Sequence, residues 1–429
     1  MDNFKLKELK NTDLKTELES IGFDKSYLHK AVDKYQYKSI KIFDLTLPQA
    51  NILKQTAISV GADCGIHREV LTSKVEKTDC ILGGSFSQLK KISQKLRAQP
   101  FKLAQLAELI ENNLDFVLKP ITIKGKVFDF KKPYIVGVIN LTNNSFSDGG
   151  EFFELDKAKK HLLELLEDGA DIIELGAEST KPFAQAISDD NQLEKLLPML
   201  EVIKEQGIKT PISIDTRSSS VAEKCIEHGA DIINDVSGLC YDEDMAKTLA
   251  KFDVPVIIQH SKGNPEDMQV NPVYENLMDE IFFDLKNKID SAIEAGIKQE
   301  NIIVDPGIGF GKTAEHNFEI IKRIEELFSL NCPIMIGVSR KSLLNMKEES
   351  NEVKDIFTLA LNAIVIDKKV NFIRVHNVKL HKKLIDLYSN LQLERMPFFD
   401  SFHSRKFHLQ YYGSIPLSLP DAFYRDGLL

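Results

Sequence analysis

From Tyr134 onward, short apolar runs rich in Ile and Val recur along the chain, and each ends abruptly in polar residues. They cover 134–140 (YIVGVIN), 171–177 (DIIELGA), 210–216 (TPISIDT), 231–237 (DIINDVS), 255–260 (PVIIQH), 302–308 (IIVDPGI), 333–339 (PIMIGVS) and 372–377 (FIRVHN). Near-continuous apolar runs of this length suit parallel strands buried on both faces. Helical spacing fills the intervals: Ala158, Leu162, Leu165 and Leu166 precede Gly169, and Val221, Cys225 and Ile226 precede Gly229. Gly-Ala-Asp follows both helical patterns, a glycine where a helix stops and the chain turns into the next strand. Eight strand–helix units in about 250 residues predict a closed (β/α)8 barrel. The alternative is an open doubly wound sheet. The count of eight, and the lack of Gly-x-Gly-x-x-Gly after the first strand, favour the barrel.

The first 125 residues follow another pattern and predict a small α/β accessory domain of unknown role. A charged helical start precedes a strand at 39–45 and a helix at 48–60. A strand pair is expected near 66–71 and 80–82, then helices at 85–98 and 100–112. Gly83-Gly84-Ser85 suits an anion site less well than a plain strand-to-helix turn. Residues 126–390 would form the barrel. Residues 391–429 carry aromatics and prolines without steady period, and are expected to form a C-terminal arm packed on the body or on another subunit.

Composition narrows the classes. Apolar residues make up 43% and charged residues 28%, which excludes a disordered chain. The net charge of −9 argues against a nucleic-acid binder or a protein held to anionic membranes. Five scattered cysteines without a Cys-x-x-Cys pair suit reduced thiols rather than a disulfide frame or zinc site. No secretory core or bilayer-spanning run is present, so a cytoplasmic location is expected.

A barrel does its chemistry at the carboxyl ends of its strands. Those ends carry Asn140, Ser179 and Thr180, Asp215, Asn234, His260, Asp305, Ser339-Arg340-Lys341, Arg374 and His376. Asp215, Asn234 and Asp305 suit a heterocycle with donor and acceptor edges. Lys341, Arg374, His376 and Thr180 suit an oxyanion. Bland roles compete: Asp215 as a helix cap, Asp305 as a turn former, His260 as a packed core residue, Arg340 and Lys341 as solvated charges. The loop at 141–150 (LTNNSFSDGG) is long and suits a lid. The segment DPGIGFGKT at 305–313 nearly matches a phosphate-binding loop, but Pro306 stands where that motif needs Gly and lacks an amide proton. Its glycines would let backbone pass beneath a flat ligand, and Lys312 is expected to be a solvated charge.

Taken together, VGVINLTNNSFSDGG at Val136, ELGAESTKP at Glu174, ISIDTRSSSVAEKCIEHGADIINDVSG at Ile212, QHSKGNPEDMQ at Gln259, DPGIGFGKTAEHN at Asp305, GVSRKSLL at Gly337 and IRVHNV at Ile373 resemble the dihydropteroate synthase family. The resemblance spans about residues 132–387 and implies condensation of (7,8-dihydropterin-6-yl)methyl diphosphate with 4-aminobenzoate, releasing pyrophosphate. It further implies Asp215, Asn234, Asp305, Lys341 and Arg374 around the pterin, with Asp215, Lys341, Asp305 and Asp148 as the catalytic set. Asn140, Thr180, Arg374 and His376 would meet the diphosphate, and Asn140 and Asp148 would hold Mg²⁺. Phe146, Thr180, Pro182, Phe310 and Ser339 would surround the aminobenzoate, and so a sulfonamide mimic.

Two loops depart from the family pattern. Asn143-Asn144 replaces Pro-Asp in the lid, and Lys181-Pro182-Phe183 replaces Arg-Pro-Gly, so that Lys181 lacks a bidentate fork and Phe183 replaces a flexible glycine beside the aminobenzoate position. A pterin-binding methyltransferase would share the Asp/Asn set but has no need of SFSDGG, Ser339-Arg340-Lys341 or His376. A non-catalytic pterin-binding protein predicts a broken phosphate set, which this sequence keeps. Small-molecule substrates and a homodimer are the expected partners.

Overall fold

The computed structural model describes residues 5–9, 13–141, 151–178, 187–263, 272–341 and 349–393. The expected lid and most of the expected C-terminal arm lie outside the described residues.

The N-terminal part begins with helices α1 (Leu14–Ser20) and α2 (Leu28–Tyr35). Strand β1 (Tyr37–Thr46), helix α3 (Leu47–Ile58), strands β2 (Asp63–Ile66) and β3 (Lys77–Ser85), and helices α4 (Phe86–Leu96) and α5 (Leu103–Asp115) follow. The strands form an antiparallel sheet in the order β1-β3-β2. Leu53, Leu82, Leu89, Ile92 and Leu96 are fully buried in its core. The strand expected at 66–71 is corrected: β2 lies earlier, and residues 68–70 form a tight 3₁₀ turn. The His67 ring accepts from the Glu69 amide at 3.2 Å and turns the chain there. Gly83-Gly84-Ser85 is not a separate turn: it is the end of β3, paired with residues 37–39 of β1, and Ser85 leads straight into α4 as its cap through a reciprocal box with Gln88.

All eight apolar runs form strands. They are β6 (Tyr134–Asn140), β7 (Ile172–Gly176), β8 (Ile212–Asp215), β9 (Ile232–Asp235), β10 (Val256–Gln259), β11 (Ile302–Asp305), β12 (Met335–Ile336) and β13 (Phe372–Val375). The helices between and after them are α6 (Glu151–Glu167), α7 (Asp189–Glu205), α8 (Ser219–Glu227), α9 (Met245–Phe252), α10 (Leu277–Glu294), α11 (Ala314–Arg323), α12 (Asn351–Asp367) and α13 (Val378–Leu393). The parallel sheet runs β11-β10-β9-β8-β7-β6-β13-β12. A bridge from Val304 to Ile334 joins its two ends, and the Val304 amide donates to Pro333 at 2.9 Å, so the sheet closes as a barrel.

Side chains alternate between the faces of each strand. Ile135, Ile173, Ile214, Ile233, Ile258, Val304 and Ile373 point outward to the helices. Tyr134, Val136, Ile172, Ile232, Ile257, Ile303, Met335 and Phe372 point inward. A short hairpin, β4 (Ile121–Ile123) with β5 (Lys126–Phe128), adds Ile121, Ile123 and Phe128 to that inner layer. It plugs the amino-terminal end of the barrel, and Phe128 stands edge-on to Tyr134 at 4.8 Å between ring centres. The N-terminal part meets the barrel at α10, where Phe43 packs on Phe283 at 4.7 Å and Lys41 pairs with Asp279. Among the described residues no helix is long and apolar enough to cross a membrane.

Phe128 is fully buried, so Phe128→Ala should cost about 3–5 kcal/mol of stability. The check is a lower urea midpoint at unchanged slope.

Candidate active site

Two residues beyond the inward apolar layer, the alternation brings a second inward layer, and here it is polar. Glu174 follows Ile172, Asn234 follows Ile232, Gln259 follows Ile257, Asp305 follows Ile303 and Arg374 follows Phe372. On β8 the inward residues are Ser213 and Asp215, because Ile212 and Ile214 face the helices. Asp215, Asn234 and Asp305 are all buried.

Glu174 organises this layer. Its side chain is fully buried. One carboxylate oxygen accepts from Arg374 Nε, and the other accepts from Asn234 Nδ2 at 3.0 Å and Ser213 Oγ at 3.4 Å. A second guanidinium nitrogen of Arg374 donates to Asp215 Oδ2 at 3.4 Å. With its amide nitrogen committed to Glu174, Asn234 is left with a buried Oδ1 that has no hydrogen-bond partner among the described residues. An unsatisfied buried acceptor costs about 1–3 kcal/mol, so a ligand N–H directed at it is favoured. Sequence reasoning missed Glu174 as a site residue. The signal was there: a carboxylate in the middle of an apolar run.

Lys341 enters from the loop after β12. Its Nζ donates to the Ile308 carbonyl and sits 4.6 Å above the centre of the Phe310 ring. Phe310 packs on Val236. Ser339 Oγ accepts from the His376 amide at 3.3 Å and lies 2.9 Å from His376 Nδ1. Arg340 is not a solvated charge: it forks onto Asp355 at 2.7 and 2.9 Å, and Asn377 donates to the same carboxylate at 3.1 Å. Asp215 does not cap α8, which Ser218 does. Asp305 does form a turn, accepting from the Gly307 amide at 2.7 Å, while remaining in the polar layer.

Lys312 overturns the expectation of a solvated charge. It is 3% exposed, and its Nζ lies 2.8 Å from His260 Nδ1. His260 is therefore a packed, neutral residue, pushed down to about 2 by burial and the neighbouring Lys312. Burial, then the Glu174 charge, pushes Asp215 up to about 7, against the pull of Arg374. Burial pushes Lys341 down to about 8, opposed by Asp305. Asp305 is itself raised by burial, with Lys341 and the Gly307 amide opposing. Burial, then Arg374 and Arg340, pushes His376 down to about 3, so it is a neutral donor. Burial works against the Arg374 charge, but Glu174 and Asp215 outweigh it and raise its pKa.

Above Gly176, where a side chain would stand, Asn140 Oδ1 and Asp215 Oδ2 each approach to 3.8 Å. Hard oxygen donors of this kind fit Mg²⁺. Among the described residues, no group of three His, Cys, Asp or Glu is placed to hold a metal by itself. Phe146, Asp148, Thr180 and Pro182, with Ser179 and the departures at Asn143, Asn144, Lys181 and Phe183, lie outside the described residues.

The site is thus a well with an apolar floor, a polar wall of paired charges and, at Asn234 Oδ1, a buried acceptor unpartnered among the described residues, suited to a flat heterocycle. A family of pterin binding enzymes matches residues 136–376. The dihydropteroate synthase of Clostridium beijerinckii is 42% identical over 261 residues, 60% of this chain and 93% of the relative. A Yersinia pestis dihydropteroate synthase solved with a sulfonamide drug is 31% identical at a TM-score of 0.60, covering 64% of this chain and all of the other. A Xanthomonas albilineans dihydropteroate synthase solved with 4-aminobenzoic acid is 29% identical at a TM-score of 0.60, covering 64% and 99%. Family match, barrel and polar well agree, and the chain belongs to the dihydropteroate synthases, the pterin-binding barrel transferases of folate biosynthesis.

Proposed function

We propose that this dihydropteroate synthase seats the dihydropterin across the polar layer, with its ring edge against Asp215, Asn234 and Asp305. The observation that carries this reading is the buried, unpartnered Oδ1 of Asn234 beside Asp215. Asn234 and ionised Asp215 accept from the amino and ring N–H groups. Lys341 donates to the carbonyl or a ring nitrogen. Arg374, held by Glu174, lies flat over the ring as a cation. Condensation breaks the bond from the methylene carbon to the diphosphate oxygen and forms a bond from that carbon to the aniline nitrogen, which then loses a proton. The electron-poor methylene is stabilised by the ring and the nearby carboxylates, so the amine attacks without a strong base.

Asn140, Thr180, Arg374 and His376 are assigned to the diphosphate, His376 as a neutral N–H donor. Asn140 and Asp148 would hold Mg²⁺, which supplies counter-charge to the leaving group. Phe146, Thr180, Pro182, Phe310 and Ser339 form the proposed aminobenzoate surface. The chain is read as cytoplasmic and as dividing near residues 125 and 390. It is also read as a homodimer, supported by Phe357 and Ile364 on α12 and Leu387 and Leu391 on α13, which are 41%, 49%, 58% and 54% exposed.

Lys341→Ala and Asp215→Asn should each lower pyrophosphate release, measured with both substrates and Mg²⁺, by at least about 100-fold while preserving the far-UV circular dichroism. Absence of release from the unmodified chain under those conditions would overturn the reading, and an unaltered rate with a magnesium chelator would remove the metal. Asp215 must be ionised and Lys341 protonated. The rate should therefore fall as the pH drops below about 7 and as it rises above about 8. Lys341→Arg should remove the alkaline limb, and a flat profile contradicts the pairing. The double variant Phe357→Arg with Ile364→Asp should sediment as a monomer; an unchanged mass excludes this dimer face.

A further inference from the structure

Lys312, in the DPGIGFGKT segment, has no part in the chemistry above. Lys312 is buried, and among the described residues its Nζ is met by a histidine ring nitrogen and three backbone carbonyls. Besides His260 Nδ1, these are the carbonyls of Phe310 at 2.9 Å, Gly307 at 3.0 Å and His260 at 3.4 Å. Such a set suits a group with three protons to give. Burial pushes the ammonium well below its usual pKa, and Asp305 pulls the other way.

The contacts span a loop that bulk cannot hold. At Gly307, with φ of 66°, an added Cβ would meet the His260 carbonyl at 1.9 Å. At Gly311, with φ of 63°, it would meet the Lys262 carbonyl at 2.3 Å. The backbone therefore lies directly on the end of β10 with no side chain wedged between, and polar ties must fix it. Lys312 ties both ends of the segment from Gly307 to Phe310 to the His260 backbone and ring. Two groups of that segment face the site: the Ile308 carbonyl that receives Lys341 Nζ, and the Phe310 ring beneath it.

We infer that Lys312 is a positioning residue for the aminobenzoate half of the reaction. It is an internal cross-link that fixes the Phe310 ring at one end of that segment. The inference rests on the reading of Phe310 as part of the aminobenzoate surface, which Phe310→Leu tests alone.

The experiment uses the full chain with Lys312→Met, Lys312→Gln, Phe310→Leu and the double variant of Lys312→Met with Phe310→Leu. KM is measured for each substrate, together with kcat. Lys312→Met should raise KM for 4-aminobenzoate about tenfold while kcat and the pterin KM stay within about threefold. Lys312→Gln, which keeps an N–H donor, should restore part of the loss. The double variant should be no worse than the poorer single variant, because both act on one ring. Should Lys312→Met not fold, Lys312→Gln carries the same comparison. Additive effects, equal loss in every parameter, or an unaltered aminobenzoate KM in a folded Lys312 variant would overturn the inference. An unaltered aminobenzoate KM in Phe310→Leu would remove the surface assignment first, and the inference with it.

Discussion

An ionised carboxylate sealed inside a barrel has no water to solvate it, and each such ion costs several kcal/mol unless donors surround it. Glu174 is in that position. Arg374, Asn234 and Ser213 supply the donors. Each is constrained in return: Arg374 is drawn across the well, and Asn234 is turned so that its oxygen is left free. Asp215, within reach of the same guanidinium, is raised into the neutral range by burial first and by the Glu174 charge second. The orientation of Arg374 and the vacant acceptor of Asn234 both follow from one residue that need not touch the substrate.

A second constraint acts from outside the barrel. Arg340 has a left-handed backbone, φ 56°, at the turn between Ser339 and Lys341. Its fork onto Asp355 fastens that turn to α12, and Asn377 fastens the end of β13 to the same carboxylate. The loops carrying Lys341 and His376 thus share an anchor on a helix whose other face carries exposed apolar residues.

The eight strands were legible because buried parallel strands leave apolar runs with abrupt polar ends. Asp215, Asn234, Asp305 and Arg374 were legible as those ends. Glu174 was not, because a strand pattern announces burial but not which face a lone charge occupies; the inward parity set by Ile172 becomes visible only once the barrel closes. Lys312 was misjudged for a related reason. Beside three glycines a lysine looks exposed, and only the fold brings His260, some 50 residues earlier in the chain, against its ammonium. At 66–71 the apolar spacing suggested a strand, but the His67 side chain captures a backbone amide and turns the chain.

The hairpin at the foot of the barrel has a consequence for traffic. With Ile121, Ile123 and Phe128 filling the lower end, the well is blind. A ligand of the polar layer is then reached from the opposite end, where the strands' carboxyl ends lie. The ligand that belongs deepest, against the polar layer, has to arrive before the one that sits above it. The joined product must then back out along the same path in one piece. On the proposed seating of the pterin against the polar layer, that order would be pterin first and amine second, and the finished molecule would have to clear the whole well before the next turnover.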